Sequence, residues 1–185
     1  MTRAPLALGV SASPSPQSRS KELLAAVLER WARAGLDTRR VDLDRIGADA
    51  LLGRAPDADL AQALAWIGSA GVLAIATPVY RATYSGLLKV FFDLLPSGAL
   101  AGKIVVPIAT GGSAAHQLAL DHGLRPLVAS LGGVTVSTGV YAIPEQFTEG
   151  KAEPALLARV ERAAEEALDL SASAPSSLPT LATHA

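Results

Sequence analysis

Cysteine is absent from the 185 residues. That removes zinc–thiolate sites, iron–sulfur clusters and thiol catalysis, and it leaves the redox compartment open. Charge is scarce too: charged residues make up 18% of the chain, below the ~25% usual in soluble domains. The 16 Lys+Arg and 17 Asp+Glu give a net charge of −1, so no basic stripe marks a nucleic-acid binder. No apolar run reaches the ~18 residues a membrane helix needs. The start, Met1-Thr2-Arg3-Ala4-Pro5, leads into a short apolar run broken by serine and proline, unlike a secretory signal. Internal repeats are missing as well. What remains is apolar: 50% hydrophobic residues and a mean hydropathy of +0.32 exclude a disordered chain and favour a large core or a subunit interface. A single soluble, cytoplasmic domain is expected, since one domain commonly holds ~100–200 residues and needs no staple at that size.

Strand-like and helix-like stretches alternate. Leu6-Ala7-Leu8-Gly9-Val10 is an apolar run that stops in serine and proline. Leu23, Leu24, Val27, Leu28 and Trp31 then share one helical face, closed by Gly35. Val41 and Leu43 mark a weaker second strand, 46–59 is irregular, and Leu60, Leu64 and Ile67 mark a second helix. Runs 71–76 and 103–109 are apolar throughout, as in a parallel sheet covered on both faces, and 134–140 makes a fifth run. Pro154 opens a last helix striped by Leu156, Leu157, Val160, Ala164, Ala167 and Leu168. This alternation predicts an α/β fold: a flavodoxin-like three-layer sandwich around a five-stranded parallel sheet of order 2-1-3-4-5. It spans 1–170, with a disordered or loosely packed tail over 171–185.

In such sheets ligands bind beyond the carboxyl ends of the strands. Three loops there are chemically unusual. The first, 13–20, holds Ser13, Ser18, Arg19 and Ser20; hydroxyls, a guanidinium and the N–H groups of a helix start together suit a phosphate, and the plainer alternative is a capped helix in a polar loop. It has no glycine, so it is neither a Walker loop nor G-x-G-x-x-G. The second, 77–86, holds Pro78, Val79, Tyr80, Tyr84 and Ser85, which could wall a flat aromatic ligand or simply pack over the sheet. The third is Thr110-Gly111-Gly112-Ser113, whose glycines permit close backbone approach to a ligand or a tight turn.

At these residues the chain resembles the NAD(P)H-dependent FMN reductases. The resemblance rests on Thr77-Pro78-Val79-Tyr80 with Tyr84-Ser85-Gly86, Lys89 and Asp93, and on Ala109-Thr110-Gly111-Gly112-Ser113 with His116. The likeness is strongest to the reductases of two-component alkanesulfonate and methanesulfonate monooxygenases, the SsuE and MsuE type. It extends from the first strand to Leu131, with Ser18-Arg19-Ser20 at the family's phosphate loop and Ala12 where the family has glycine. Segment 140–152 is not matched by the resemblance. The resemblance implies FMN, NADPH or NADH as hydride donor, and release of reduced FMN to a partner monooxygenase in sulfur metabolism. Hydride transfer between cofactors needs stacking and orientation, and no acid–base dyad is required or found.

Within the expected helix 113–131, Pro126 lacks an N–H and its ring collides with the carbonyl of residue 122, beside Gly123. A kink or single-turn π-bulge is therefore expected at His122, a candidate for flavin handling that could otherwise merely face a helix partner. In the family this segment carries Tyr in alkanesulfonate-type reductases and His in methanesulfonate-type ones. His116 could be an ordinary polar residue of the first turn. The helix 85–95 sweeps a wide apolar arc with Lys89 and Asp93 on its polar strip, which points to a homodimer or homotetramer unless 46–59 or the tail covers it. Two other classes compete: a flavoprotein with tightly held FMN that reduces quinones or azo compounds, and a flavodoxin-type electron carrier, disfavoured by the near-zero net charge.

Overall fold

The computed structural model describes residues 4–173. Along the chain run β1 (Leu6–Ser11), α1 (Arg19–Arg33), β2 (Asp37–Asp42), α2 (Ala48–Leu51), α3 (Ala58–Ser69), β3 (Val72–Tyr80), β4 (Thr83–Tyr84), α4 (Gly86–Phe92), β5 (Ile104–Thr110), α5 (Arg125–Ser130), β6 (Val134–Thr135), β7 (Val140–Ala142), β8 (Phe147–Thr148), β9 (Lys151–Ala152) and α6 (Pro154–Ser173). The main sheet has the order β2-β1-β3-β5-β6, with β7 also on β5, and all of these pairings are parallel. It is the expected flavodoxin-like α/β arrangement.

The two-residue period of the strands splits the core into two. Leu8, Val10, Leu73, Ile75 and Val105 pack with Leu60, Ile67, Leu88, Phe91 and Val128 from α3, α4 and α5. Ala7, Ala74, Ala76, Val106 and Ile108 pack with Leu23, Leu24, Val27, Trp31, Leu156 and Val160 from α1 and α6. Trp31 keeps its polar end satisfied: Nε1 donates to the Ala164 carbonyl at 3.0 Å and joins the two helices. A Cβ on Gly9 would meet Leu28 Cδ1 at 2.9 Å, so this glycine lets α1 lie close on β1.

The sheet has seven strands rather than five, for two local reasons. β3 does not stop at Ala76. It continues to Tyr80, turns at Arg81 (φ 50) and Ala82 (φ 71), and pairs antiparallel with β4. The fifth strand is split into β6 and β7. In the gap, Ser137 and Thr138 donate their N–H groups to Glu166 at 2.6 and 2.9 Å, while the Arg125 guanidinium donates to the carbonyls of Val136 and Ser137. Side chains thus replace the ladder there. A separate hairpin, β8–β9, lies in the segment 140–152 that the resemblance left unmatched.

The helix expected over 113–131 is broken into a 3-10 turn (Ala114–His116), a π-helix (Leu120–Leu124) and α5. The π-turn contains His122, where Pro126 forces a departure from regular helix. α4 ends at Phe92, and the chain continues in i→i−3 bonds from Leu94 and Leu95 to Phe91 and Phe92. Its Leu88, Phe91 and Phe92 are buried, whereas Leu87, Val90 and Leu94 are half-buried. The segment 46–59, which contains α2, touches this face: a Cβ on Gly53 would lie 3.7 Å from Leu94. α6 runs through Ser173, past the boundary at 170/171 expected for the tail; residues 174–185 lie outside the described residues.

Candidate functional site

The carboxyl ends of β1, β3 and β5 open onto a cleft of about 810 Å³. Nine of the residues singled out from sequence line it: Ser13, Ser18, Arg19, Pro78, Val79, Tyr80, Thr110, Gly111 and Gly112. They arrive from three loops far apart in sequence, brought together by the parallel order of the strands.

One end of the cleft is polar. Ser18 is the N-cap residue of α1, in extended conformation (φ −142, ψ 132), yet its side chain makes no capping bond. Its hydroxyl instead lies 2.9 Å from that of Ser20. The first-turn N–H groups of α1 are thus uncapped by side chains, beside the hydroxyls of Ser13 and Ser15 and the exposed Arg19. Glu22 is an acid at this end. Its Oε1 accepts the Ala152 N–H at 2.6 Å.

The opposite walls are less polar. The end of β3, with Pro78, Val79 and Tyr80, forms one, and Tyr80 is 48% exposed. Thr110-Gly111-Gly112 forms the other. Gly111 donates its N–H to the Ala142 carbonyl at 3.0 Å, and Tyr141 donates its hydroxyl to the Ser113 carbonyl at 2.7 Å. A Cβ on Gly111 would stand 2.0 Å from the Tyr141 oxygen, so no side chain fits there. Burial pushes the Tyr141 phenol up, which keeps it a donor.

Four expected residues lie elsewhere. Ser20 is buried beneath Ser18. Ser85 is buried in the framework: it caps α4 by accepting the Leu88 N–H, and its hydroxyl donates to the Ala12 carbonyl at 2.7 Å. It ties the first loop to the second. Ser113 caps the 3-10 turn, accepting the Ala115 N–H at 3.2 Å. His122 lines a separate cavity of about 250 Å³ with His116, Ala82, Thr83 and Gly123, across the β3–β4 turn from the cleft. A Cβ on Gly123 would lie 2.5 Å from Thr83 Oγ1, so the π-turn rests directly on that turn. Lys89 pairs with Asp93 on the exposed side of α4.

Sequence reading missed the cleft's fourth wall, made by Pro144, Gly150 and Lys151. The signal was slight: a glycine in a two-residue turn between strands of two residues each.

The donor set suits FMN. An uncapped helix start, three hydroxyls and a guanidinium match a phosphate; the strand end bearing Tyr80 and the bare Gly111-Gly112 backbone match the faces and edge of a flat ring. Among the described residues no cluster of His, Asp or Glu could hold a metal, and no helix is long and apolar enough to cross a membrane.

Known proteins share this architecture. The family model for NADPH-dependent FMN reductase matches residues 5–148. An FMN reductase (NADPH) of Pseudomonas putida KT2440 is 35% identical over 167 residues, covering 89% of this chain and 85% of the relative. The NADH-dependent FMN reductase SfnF of Pseudomonas putida is 41% identical over 160 residues, covering 83% of this chain and 86% of the relative. A crystal structure of NADH:FMN oxidoreductase (EMOB) in its apo form superposes with a TM-score of 0.82 at 36% identity, covering 93% of this chain and 91% of that one.

Proposed function

The chain belongs to the NADPH-dependent FMN reductase family and reduces FMN with a nicotinamide cofactor, NADPH or NADH; from that premise we propose that reduced FMN leaves it to feed a separate flavin-dependent sulfonate monooxygenase in the cytoplasm. The observation that carries the reading is the cleft itself: one polar, cationic end at the start of α1 and one open, flat end at Tyr80 and Gly112. Arg19, Ser13 and Ser18 hold the phosphate, while residues 78–80 and the backbone of Thr110-Gly111-Gly112 orient the ring. Bound FMN supplies the hydride acceptor. The protein's own part is to align the two cofactors and exclude disorder, which needs no proton relay. Consistent with this, among the described residues Arg19, Glu22 and Lys151 are the only charged ones lining the cleft.

A half-exposed Tyr80 leaves the flat end accessible, which suits a flavin that comes and goes. Spectra of the purified protein test this. A colourless protein that oxidises NAD(P)H only with added FMN agrees with the proposal; a yellow protein that reduces quinones or azo compounds with its own flavin refutes it. We further propose a homodimer or homotetramer, supported by half-buried Leu87 and Val90 on α4, Leu94 just after it, and Leu118, which is 56% exposed. Sedimentation equilibrium giving a single species at 18.9 kDa would rule it out.

A further inference from the structure

The β8–β9 hairpin has no role in the fold's sheet, yet it is fastened to α1 at two points. The Arg19 guanidinium sits over the Phe147 ring at 5.6 Å from its centroid, and the Ala152 N–H binds Glu22 at 2.6 Å. Its two-residue turn, Glu149 (φ 50) and Gly150 (φ 80), sets Phe147 opposite Ala152 and Thr148 opposite Lys151. Both Phe147 and Ala152 pack on the α1–α6 core. Gly150 and the exposed Lys151 line the cleft. Among the described residues Lys151 Nζ makes no ion pair or hydrogen bond.

Charge is therefore segregated. Two cations, Arg19 and Lys151, converge on the end of the cleft that holds the serine hydroxyls and the uncapped start of α1, and the acid beside them is engaged by backbone. Among the described residues that line the cleft, those at the flat end carry no charge. A phosphate monoester carries up to two negative charges, so one guanidinium leaves part of that charge to solvent.

Building on the FMN reading of the cleft, we propose that the β8–β9 hairpin is the outer half of a phosphate-monoester site, with Lys151 its second cation and Phe147 the support that orients Arg19. Two ligands of the reaction carry such a group: FMN at its 5′ end and NADPH on its 2′ position. The place beside α1 favours the flavin.

Lys151→Ala, Lys151→Arg and Phe147→Leu in the full chain test this. Dissociation constants for FMN and riboflavin are read from flavin fluorescence quenching at low and high salt, and those for NADPH and NADH from nicotinamide fluorescence. Lys151→Ala should weaken FMN by about five- to tenfold and riboflavin by less than about twofold, and should lessen the salt dependence of FMN binding. Lys151→Arg should restore most of the loss, and Phe147→Leu should show a smaller loss of the same FMN-selective kind. A selective loss of NADPH over NADH, with the FMN-to-riboflavin ratio unchanged, would keep the monoester site and assign it to the donor. Equal losses for FMN and riboflavin, or no selective loss in either pair, would overturn it. If Arg19→Ala is FMN-selective while Lys151→Ala is silent, the hairpin inference alone fails; if the parent protein cannot tell FMN from riboflavin, the reading of the cleft fails with it.

Discussion

Gly111 offers the sharpest test of how the cleft is built. Its backbone is not in the left-handed region, so only space forbids a side chain there. An added methyl group would lie 2.0 Å from the Tyr141 oxygen and 3.0 Å from its Cζ. No rotamer change of the methyl relieves this, so either the phenol or the loop must move. Moving the phenol breaks its bond to the Ser113 carbonyl, worth about 0.5–1.5 kcal/mol. Repacking an overfilled site adds about 1–3 kcal/mol. Gly111→Ala should therefore destabilise the protein by roughly 2–4 kcal/mol in urea unfolding, and weaken FMN because the displaced segment is a cleft wall. The cause is specific, so it can be isolated. In a Tyr141→Ala background the clash is gone, and Gly111→Ala should cost less than about 1 kcal/mol there, a coupling of at least about 1–2 kcal/mol. Equal costs in the two backgrounds would refute the assignment and place the constraint on backbone conformation instead.

Arg19→Ala should raise the KM for FMN far more than that for riboflavin, by a loss of roughly 1.5–3 kcal/mol for a charge-assisted hydrogen bond; equal effects on both flavins would sink the phosphate assignment. Burial pushes the Glu166 carboxyl up, but hydrogen bonds from the Ser137 hydroxyl and from Thr138 and Ser137 N–H groups outweigh this and hold it at about 2, below its ordinary 4.5. Its contribution to stability is present above the unfolded value and is lost as pH falls from 4.5 towards about 2; Glu166→Gln should cost about 1–2 kcal/mol at neutral pH after allowing for solvent screening, and the variant's urea midpoint should change less than the parent's across that window. His122→Ala should change turnover of free FMN while leaving thermal unfolding unchanged, and identical kinetics would reduce this histidine to a helix surface residue.

Much of the fold was legible because its signals are local. Strands buried on both faces read as unbroken apolar runs, and the helices between them carried clear stripes. The π-turn was legible as well, since a proline lacking its N–H acts within one turn of His122. The departures have a different origin. β3 outruns its apolar run because Thr77 and Pro78 pair with Ala109 and Thr110, and because Arg81 and Ala82 adopt positive φ without a glycine to announce the turn. The fifth strand splits because Glu166, 29 residues beyond Ser137, captures its backbone donors. Neither cause is visible in a short window of sequence.

The site divides along the same line. Loops that follow buried strands declare themselves, since topology alone puts their residues at one sheet edge, and this was enough to assemble three walls of the cleft. The residues that hold those walls apart could not be read in this way. Ser85 looks like a ligand residue in sequence but spends its hydroxyl on Ala12 and its acceptor on Leu88, joining two loops from beneath. Tyr141 lies in a stretch without a motif, yet its hydroxyl shapes the Gly111 turn from the neighbouring strand β7. Phe147 and Lys151 sit in strands too short to carry a periodicity at all. A ligand-binding motif thus fixes which backbone approaches the ligand. The width of the gap depends on distant side chains, each chosen for one contact, and a single substitution at Tyr141 or Phe147 should alter binding while every motif residue stays in place.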